Sequence, residues 1–542
     1  MKRSHPLVPA AVLAAVWALL AVAGLARQGV FLAKHEGDAV HLMDILLRMG
    51  AGQRPHLDFL TPIGDLAFWP IVWLMNAGIQ AGHAFVLAQV VIGFLLGLAA
   101  WWVGVRRLAP PLAIAFGVIV LVLCMAFVHG EAEPTLSVSM HYNRWAWAVT
   151  FIVIALAMLP PPSARGEIAD GVLIGTGAFA LILLKMTYAA ALAPGVLIVL
   201  IARRAWKTLT FATVAFGLLA VAVTLFWGFA FWPAYLRDLL IVATSDIRSS
   251  PGLPLRQVIA DPAYMGGSLA ALAGIILLRQ SGEKLGGLAM LLFFPGFIYI
   301  TFQNFGNDPQ WLYVLPILLL ALRPSDQTFN AVGWNLRRAL GLVAVFLAAL
   351  AAPSFLNLAY SPFRHLAVPS DEYGPVLFDA ARHDDVRVPL MRGLIAAHVV
   401  DETGPGRPYE AYAAEFDDRE PDPGLDGMPM PRCALQPGMV AYFDAVASDL
   451  ETNGNAGARI FATDVLTGFW MYGDFPPLPG GAPWSYGSLA GLGAADVVLV
   501  PNCPVHRPTR RQLVEKISNL DGWRFEMISE RPLYSLYSVI RP

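Results

Sequence analysis

Apolar runs of about 20 residues recur through the first two thirds of this 542-residue chain. A run of that length can cross the hydrocarbon core of a bilayer as one helix, because about 20 residues at ~1.5 Å each cover ~30 Å. Only 14% of the residues are charged, whereas soluble domains have about 25%. The sequence therefore predicts a mainly α-helical, polytopic transmembrane bundle.

About eleven membrane-spanning helices are predicted, and the positive-inside rule orients them. Lys2 and Arg3 precede the first run, which places the N-terminus in the cytoplasm. This run resembles a signal peptide but is long for one and has no clear cleavage site, so a retained first helix is predicted. The predicted spans are 7–26, 84–105, 111–128, 145–160, 171–185, 187–202, 208–231, 265–279, 286–302, 310–322 and 339–358.

Residues 66–79 form an apolar segment that is short for a span. If this segment crossed the membrane, Arg106 and Arg107 would lie outside, against the charge rule. We therefore predict an interfacial helix here, within a first external loop of residues 29–83. This choice leaves most later basic loop residues in the cytoplasm and the C-terminal region in the periplasm.

The composition changes after residue 359, where acidic, Pro- and Gly-rich stretches alternate with ordinary α/β patterning. Residues 458–463 and 496–501 have the apolar pattern of buried strands, and amphipathic helices are predicted at 439–450 and 509–520. The chain end resembles a β-hairpin. We therefore divide the chain into a transmembrane domain, 1–359, and a periplasmic α/β domain, 360–542.

Two further features of the C-terminal region leave alternatives open. Cys433 and Cys503 could form a disulfide in an oxidising compartment, or remain reduced and separately buried. The sequence GSLAGLG at 487–493 has the glycines of a phosphate loop, but the spacing is wrong and no Lys follows. An ordinary loop is the better interpretation.

Polar residues crowd into the first external loop directly after the first apolar run. On a helix beginning near residue 39, His41, Asp44 and Arg48 share one face and apolar residues the other, which suits a helix lying along the outer membrane surface. Asp38 stands at the start of this helix. It could be an N-cap, or a carboxylate held facing water at the membrane boundary.

This arrangement resembles the first external loop of GT-C glycosyltransferases, which include protein O-mannosyltransferases and the lipid A aminoarabinose transferase. The residues that carry the resemblance are the acids of Glu36-Gly37-Asp38, the amphipathic segment, the polar run at 53–62 and the apolar interfacial helix. The family motif is usually Asp-Glu, whereas this chain has Glu-Gly-Asp.

The resemblance implies transfer of a sugar from a polyprenyl-phosphate-linked donor to a hydroxyl on a glycan, lipid or protein acceptor. The reaction would proceed with inversion at the periplasmic face of the cytoplasmic membrane, in contact with membrane lipids. Asp38 would be the catalytic base, with Glu36 as the second candidate.

The departing phosphate requires cations or N–H donors around it. Lys185 interrupts an apolar run near the outer face, where it could bind phosphate or extend to the interface as a snorkelling lysine. Arg144, with His141 and Asn143, stands at the mouth of a span, and interfacial anchoring by neighbouring aromatic residues is the alternative there.

Weaker substrate-binding candidates lie in the external loops, and each also fits a surface position. Those in the first loop are His41, Arg54, His56 and Asp58, and those in the loop at 303–311 are Asn307 and Asp308. The second group could contact the sugar or form a tight turn. A divalent metal ion is the cofactor that a second carboxylate near Asp38 could hold.

Two other classes of function fit the same chain. One is a transporter or flippase for a lipid-linked or small polar substrate, and the other is a non-catalytic partner in envelope polysaccharide assembly. The ionisable residues concentrate at one membrane face, which favours surface chemistry over passage. No basic tract large enough for nucleic acid occurs.

Overall fold

The computed structural model describes residues 6–32, 35–138, 140–161, 163–247, 254–304, 308–378, 383–400, 402–403, 406–415 and 422–542. Fifteen α-helices belong to the first part of the chain within these ranges. They are α1 Leu7–Leu25, α2 Glu36–Gly50, α3 Trp69–Asn76, α4 Ala81–Arg107, α5 Pro110–Met125, α6 His141–Met158, α7 Ala164–Leu184, α8 Met186–Ala202, α9 Trp206–Trp227, α10 Phe231–Ala243, α11 Leu255–Ala260, α12 Pro262–Gln280, α13 Lys284–Gln303, α14 Leu315–Leu322 and α15 Leu336–His365.

A helix stands at each of the eleven predicted spans. In the described part of the chain, seven helices are long and apolar enough to cross a membrane: α1, α4, α7, α9, α12, α13 and α15. The other predicted spans coincide with shorter apolar helices or, for α6, with a helix whose first turn is polar. The prediction of a polytopic helical bundle is confirmed.

The longest helix in the segment predicted to lie at the interface is the eight-residue α3. Eight residues cover about 12 Å, far less than a bilayer core. The predicted break in the 171–202 region is also present, because α7 ends at Leu184 and α8 begins at Met186. Lys185 between them has extended backbone angles, φ −161° and ψ 109°.

The predicted strands, helices and terminal hairpin are all present in the C-terminal α/β region. Its helices are α16 Leu390–Gly393, α17 Met439–Thr452 and α18 Arg507–Ser518. The strands among the described residues are β1 Val30–Phe31, β2 Tyr373–Pro375, β3 Val386–Pro389, β4 His398–Val400, β5 Cys433–Leu435, β6 Ile460–Ala462, β7 Val497–Pro501, β8 Arg524–Glu530 and β9 Tyr534–Ile540. The largest sheet has the order β6-β7-β9-β8, with β6 parallel to β7.

The two regions share elements across the predicted boundary. Strand β1, at the start of the first external loop, pairs in parallel with β3, so that Val30 lies opposite Val386. Helix α15 continues to His365, past the predicted boundary at residue 359. The first external loop, which we call the outer loop, therefore contributes a strand to a sheet of the C-terminal region.

Cys433 and Cys503 form a disulfide, with their Cα atoms 4.9 Å apart. Of the two alternatives left open by the sequence, the bonded one is correct. The bridge ties β5 to the segment between β7 and α18.

Replacing both cysteines with Ser is expected to lower stability, because the bridge closes a loop with a sequence separation of 70 residues. Loop-closure entropy predicts a loss of about 4 kcal/mol in the free energy of unfolding. The measurement is the unfolding temperature of the purified protein with and without reductant. Reductant should lower the unfolding temperature of the unaltered protein and leave that of the double variant unchanged; an equal response of both would contradict the prediction.

Candidate functional site

Helix α2 of the outer loop carries the two acids proposed for catalysis. His35 is the N-cap of this helix, and its side chain makes no capping hydrogen bond. Asp38 therefore lies in the first turn, and the N-cap interpretation of Asp38 was wrong. A carboxylate in the first turn interacts favourably with the helix dipole.

Glu36, in the same turn, is buried and paired with the C-terminal region. Arg392 of α16 donates to both carboxylate oxygens of Glu36, through Nε and through Nη2 at 3.2 Å. The Glu36 side chain is 7% exposed, whereas that of Arg392 is 46% exposed. The negative charge of Glu36 is thus compensated by its ion pair with Arg392. Asp38 is the only partly exposed acid in the first turn of α2.

The polar face of α2 does not face water as predicted. Asp44 and Arg48 are fully buried as an ion pair, and Arg48 Nη1 donates to the Leu478 carbonyl at 3.0 Å. The His41 ring lies 5.5 Å from that of Trp484, and burial lowers the pKa of His41 to about 4. The C-terminal region covers this face, so α2 is enclosed rather than spread on the membrane surface.

Removing the Asp44 carboxylate is expected to destabilise the protein strongly, because Arg48 would keep a buried charge without its counter-ion. Asp44→Ala should cost about 3–5 kcal/mol in the free energy of unfolding. The chain offers a matched control in Arg54 and Asp58, which have the same spacing but are 47% and 35% exposed. Asp58→Ala should cost about 0–1 kcal/mol. Denaturant titrations measure the free energy of unfolding of Asp44→Ala and Asp58→Ala. Equal losses in the two variants would contradict the conclusion that the polar face of α2 holds a buried ion pair.

Arg54 and Asp58, both proposed for substrate binding, bond to each other at the surface. Arg54 Nε donates to Asp58 Oδ2 at 3.1 Å. The backbone carbonyl of Asp58 also accepts the Gly480 amide at 2.8 Å. The backbone of Asp58 thus joins the first external loop to the C-terminal region.

His56 is buried between two carboxylates, and the proximity of these three residues could not be predicted from the sequence. Its Nδ1 lies 3.0 Å from Asp238 Oδ2, and its Nε2 lies 3.4 Å from Asp65 Oδ1. Burial works to lower the pKa of His56, but the two carboxylates outweigh it and raise the pKa above its usual value. Asp238 lies 182 positions along the chain, and nothing in the local pattern signals this pairing.

A small polar cavity lies where α6, the α7–α8 break and the end of α13 meet. We call it the Lys185 cavity, after the lysine beside it. Its lining residues are His129, Asn143, Trp147, Tyr188, Thr301, Asn304, Asp308 and Gln310. Its volume is about 10 Å³, room for roughly one water. A ligand can therefore enter only if side chains at its mouth move.

Lys185 bridges the rim of this cavity. Its Nζ donates to Asn304 Oδ1 and lies 5.5 Å from the centre of the Tyr142 ring. Asn304 Nδ2 in turn donates to the Tyr188 hydroxyl at 3.4 Å. The lysine side chain is thus held by contacts within the protein.

Two more sequence candidates face this cavity. The Asn143 amide is buried, and neither its oxygen nor its nitrogen has a hydrogen-bond partner among the described residues. Burial raises the pKa of Asp308, and a hydrogen bond with Ser354 offsets part of that rise. Asn307 lies outside the described residues. The cavity thus combines a cation, an unpaired amide and a carboxylic group.

The side chains of Arg144 and His141, in the first turn of α6, contact backbone carbonyls of neighbouring segments. Arg144 donates to the carbonyls of Val128 and Ala126, at 3.1 and 2.7 Å, just after α5. His141 Nε2 lies 2.8 Å from the Ala67 carbonyl. Buried side chains bonded in this way satisfy backbone groups that would otherwise lack partners. We therefore leave Arg144 and His141 out of the functional proposal.

Within the described ranges, no group of three or more His, Cys, Asp or Glu side chains is arranged to hold a metal ion. Asp58, another acid of the first external loop, is bonded to Arg54. The divalent metal ion stays a prediction.

No family model and no curated protein matches this chain. Among solved structures, the chain is similar to ArnT from Cupriavidus metallidurans in the apo state, with 12% identity over 98% of this chain and 97% of that one and a TM-score of 0.40. The form bound to undecaprenyl phosphate gives 11% identity with the same coverage and a TM-score of 0.39. The arabinofuranosyltransferase AftD from Mycobacteria gives 13% identity over 99% of this chain and 40% of that one, with a TM-score of 0.40.

Proposed function

We propose that this protein is a GT-C-type membrane glycosyltransferase. It moves a sugar from a polyprenyl-phosphate donor to an acceptor hydroxyl at the periplasmic face of the cytoplasmic membrane. The observation that best supports this function is the grouping of Lys185, Asn143 and Asp308 around one cavity at the predicted external ends of the helices. A charged nitrogen beside an unpaired amide and a carboxylic group suits a ligand that carries both a phosphate and hydroxyls.

In this proposal Lys185 holds the departing phosphate. When the bond between the anomeric carbon and the phosphate oxygen breaks, that oxygen keeps the electron pair and gains negative charge. The Nζ cation stabilises this charge once its bond to Asn304 has opened. Asn143 offers both a donor and an acceptor for sugar hydroxyls.

Asp38 is the proposed base. It accepts the proton of the acceptor hydroxyl while that oxygen attacks the anomeric carbon from the face opposite the phosphate, which inverts the configuration. The ion pair between Glu36 and Arg392 engages the other acid of the turn and fixes the start of α2. The disulfide is consistent with a periplasmic C-terminal region, since disulfides persist in oxidising compartments.

The test uses purified protein in neutral detergent and lipid-linked sugars extracted from cells lacking it. A transferase should convert the donor to free polyprenyl phosphate when acceptor extract is added, as followed by mass spectrometry. The alternative is a flippase, which would move the intact donor across a vesicle membrane without cleaving it. Recovery of the donor unchanged in detergent, together with transport in vesicles, would overturn the proposal.

A further inference from the structure

A buried histidine joins the outer loop to α10. His56 has a backbone φ of 67°, in the left-handed region that residues other than glycine seldom adopt. Its amide donates to the Phe59 carbonyl at 2.8 Å, and its own carbonyl accepts Arg237 Nη2 at 3.0 Å. A residue in this conformation persists only where its surroundings hold it.

Both nitrogens of the His56 ring face carboxylates. Nδ1 lies against Asp238 of α10, and Nε2 lies against Asp65 in the turn before α3. Arg237 compensates the charge of Asp238 through the other carboxylate oxygen, Oδ1. Asp65 is buried, and His56 is its only cationic partner among the described residues. The charges at this site therefore balance only while His56 carries its second proton.

The surroundings of His56 give that proton a route to solvent. From the other described elements around it, the ionisable side chains that face His56 are Asp65, Arg237, Tyr235 and Asp238. His56 also lines a cavity of about 460 Å³ between the outer loop, α10 and the loop at 480–491. The cavity-lining residues of the latter loop have no ionisable side chain. A cavity of this size has room for water beside His56.

The Tyr235 ring connects His56 to the end of α7. It stacks on the His56 ring, with 4.4 Å between the ring centres, and its hydroxyl donates to the Ile182 carbonyl at 2.7 Å. Ile182 lies in the last turn of α7, where backbone carbonyls lack partners within the helix. Lys185, the residue proposed to hold the phosphate, directly follows this turn.

The outer loop contacts the same turn directly. A Cβ atom at Gly64 would overlap the Leu183 carbonyl, because the two backbones approach so closely. Leu183 also belongs to one apolar cluster with Tyr235 and with Leu57 of the outer loop. Separation of the outer loop from α10 would therefore disturb the turn that precedes Lys185.

We propose that protonated His56 is a positioning residue, which clamps Asp65 to Asp238 and thereby holds the last turn of α7 and Lys185 in place. Loss of the proton leaves Asp65 as a buried charge without a counter-ion, which favours separation of the outer loop from α10. The clamp itself does not require sugar transfer, whereas its effect through Lys185 rests on the proposed function.

The clamp opens toward alkaline pH. Burial acts to lower the pKa of His56, but Asp238 and Asp65 outweigh it and raise the pKa above the ordinary value of 6.5. The folded protein thus binds this proton more tightly than the opened one. The stabilisation is complete below about pH 6.5 and is lost as the pH rises through the raised pKa.

The test measures amide hydrogen exchange of the full-length protein in neutral detergent, between about pH 6 and pH 10. Exchange rates are divided by those of unfolded peptides at the same pH, which gives protection factors. Protection of residues 53–65 and 178–186 should fall by about 10-fold per pH unit across the window between the two pKa values. Protection that stays constant in both segments would overturn the proposal.

Variants assign the pH dependence to His56. His56→Gln should remove it, and Asp65→Asn, which keeps the imidazole, should move its midpoint about 1 unit toward lower pH. The matched control is His83→Gln. His83 Nδ1 also lies 3.0 Å from a carboxylate, that of Asp385, but its side chain is 32% exposed, so the midpoint in residues 178–186 should not move. An unaltered pH dependence in His56→Gln, or an unmoved midpoint in Asp65→Asn, would contradict the assignment.

The rate of sugar transfer gives a second readout of the clamp. It should fall over the same alkaline range, and the fall should move to lower pH in Asp65→Asn. A rate that stays constant while protection falls would show that the clamp does not position Lys185. If the unaltered protein transfers no sugar at any pH, the proposed function fails, and the hydrogen exchange of residues 178–186 alone decides whether His56 is a clamp.

Discussion

Asp38→Asn is expected to reduce sugar transfer by about 100- to 10,000-fold, the range that general-base catalysis contributes. The amide has nearly the shape of the carboxylate but cannot take a proton from the acceptor hydroxyl. Asp38 lies in the first turn of α2, beside an acid already paired with Arg392, so folding should survive the change. The measurement is the initial rate of donor consumption by purified protein.

Glu36→Gln is the control for this prediction, since it removes the other acid of the same turn. Its expected effect is a smaller loss of rate together with lower stability, because Arg392 loses its ion-pair partner. If Glu36→Gln abolished transfer while Asp38→Asn did not, Glu36 would be the base and the ion pair would have to open during the reaction.

Lys185→Gln is expected to lower the rate of transfer by about 100- to 1,000-fold, the usual effect of removing one preorganised donor from a developing negative charge. The glutamine amide can still donate to Asn304, which Lys185 contacts now. The loss should therefore arise from the missing charge and not from unfolding. Rates are measured alongside unfolding temperatures.

Two further substitutions make the Lys185 prediction specific. Lys185→Arg keeps the positive charge and should recover part of the rate. Lys284→Gln removes an exposed lysine at the start of α13 and should leave the rate unchanged. A rate for Lys185→Gln equal to that of the unaltered protein would exclude a role for this lysine in holding the phosphate.

The membrane architecture could be predicted from the sequence because length and hydropathy decide which segments can cross a bilayer. The break at Lys185 was predicted for a related reason, since a charged residue in an apolar run seldom lies within a regular span. Lys185, Asn143 and Asp308 were each proposed from local patterns. Their common position around one cavity results from the packing of three helices, and it could not be predicted from the sequence.

The environment of α2 could not be predicted from its sequence. A helical wheel separates polar from apolar faces, but it cannot distinguish water from a second protein region that supplies polar partners. Asp44 and Arg48 have the pattern of a solvated face, and yet they are buried against the C-terminal region. Likewise, His56 was proposed as a loop residue, and its two carboxylate partners became evident only in three dimensions.

In the proposed function, this protein consumes a polyprenyl-phosphate-linked sugar at the periplasmic face of the cytoplasmic membrane. The most direct measurement is mass spectrometry of lipid-linked sugars and envelope glycans in cells that lack the protein. These cells should accumulate a polyprenyl-phosphate-linked sugar and lose one glycan or lipid modification. The unaltered protein should reverse both changes, and Asp38→Asn should reverse neither. Identical lipid and glycan profiles with and without the protein would contradict the claim.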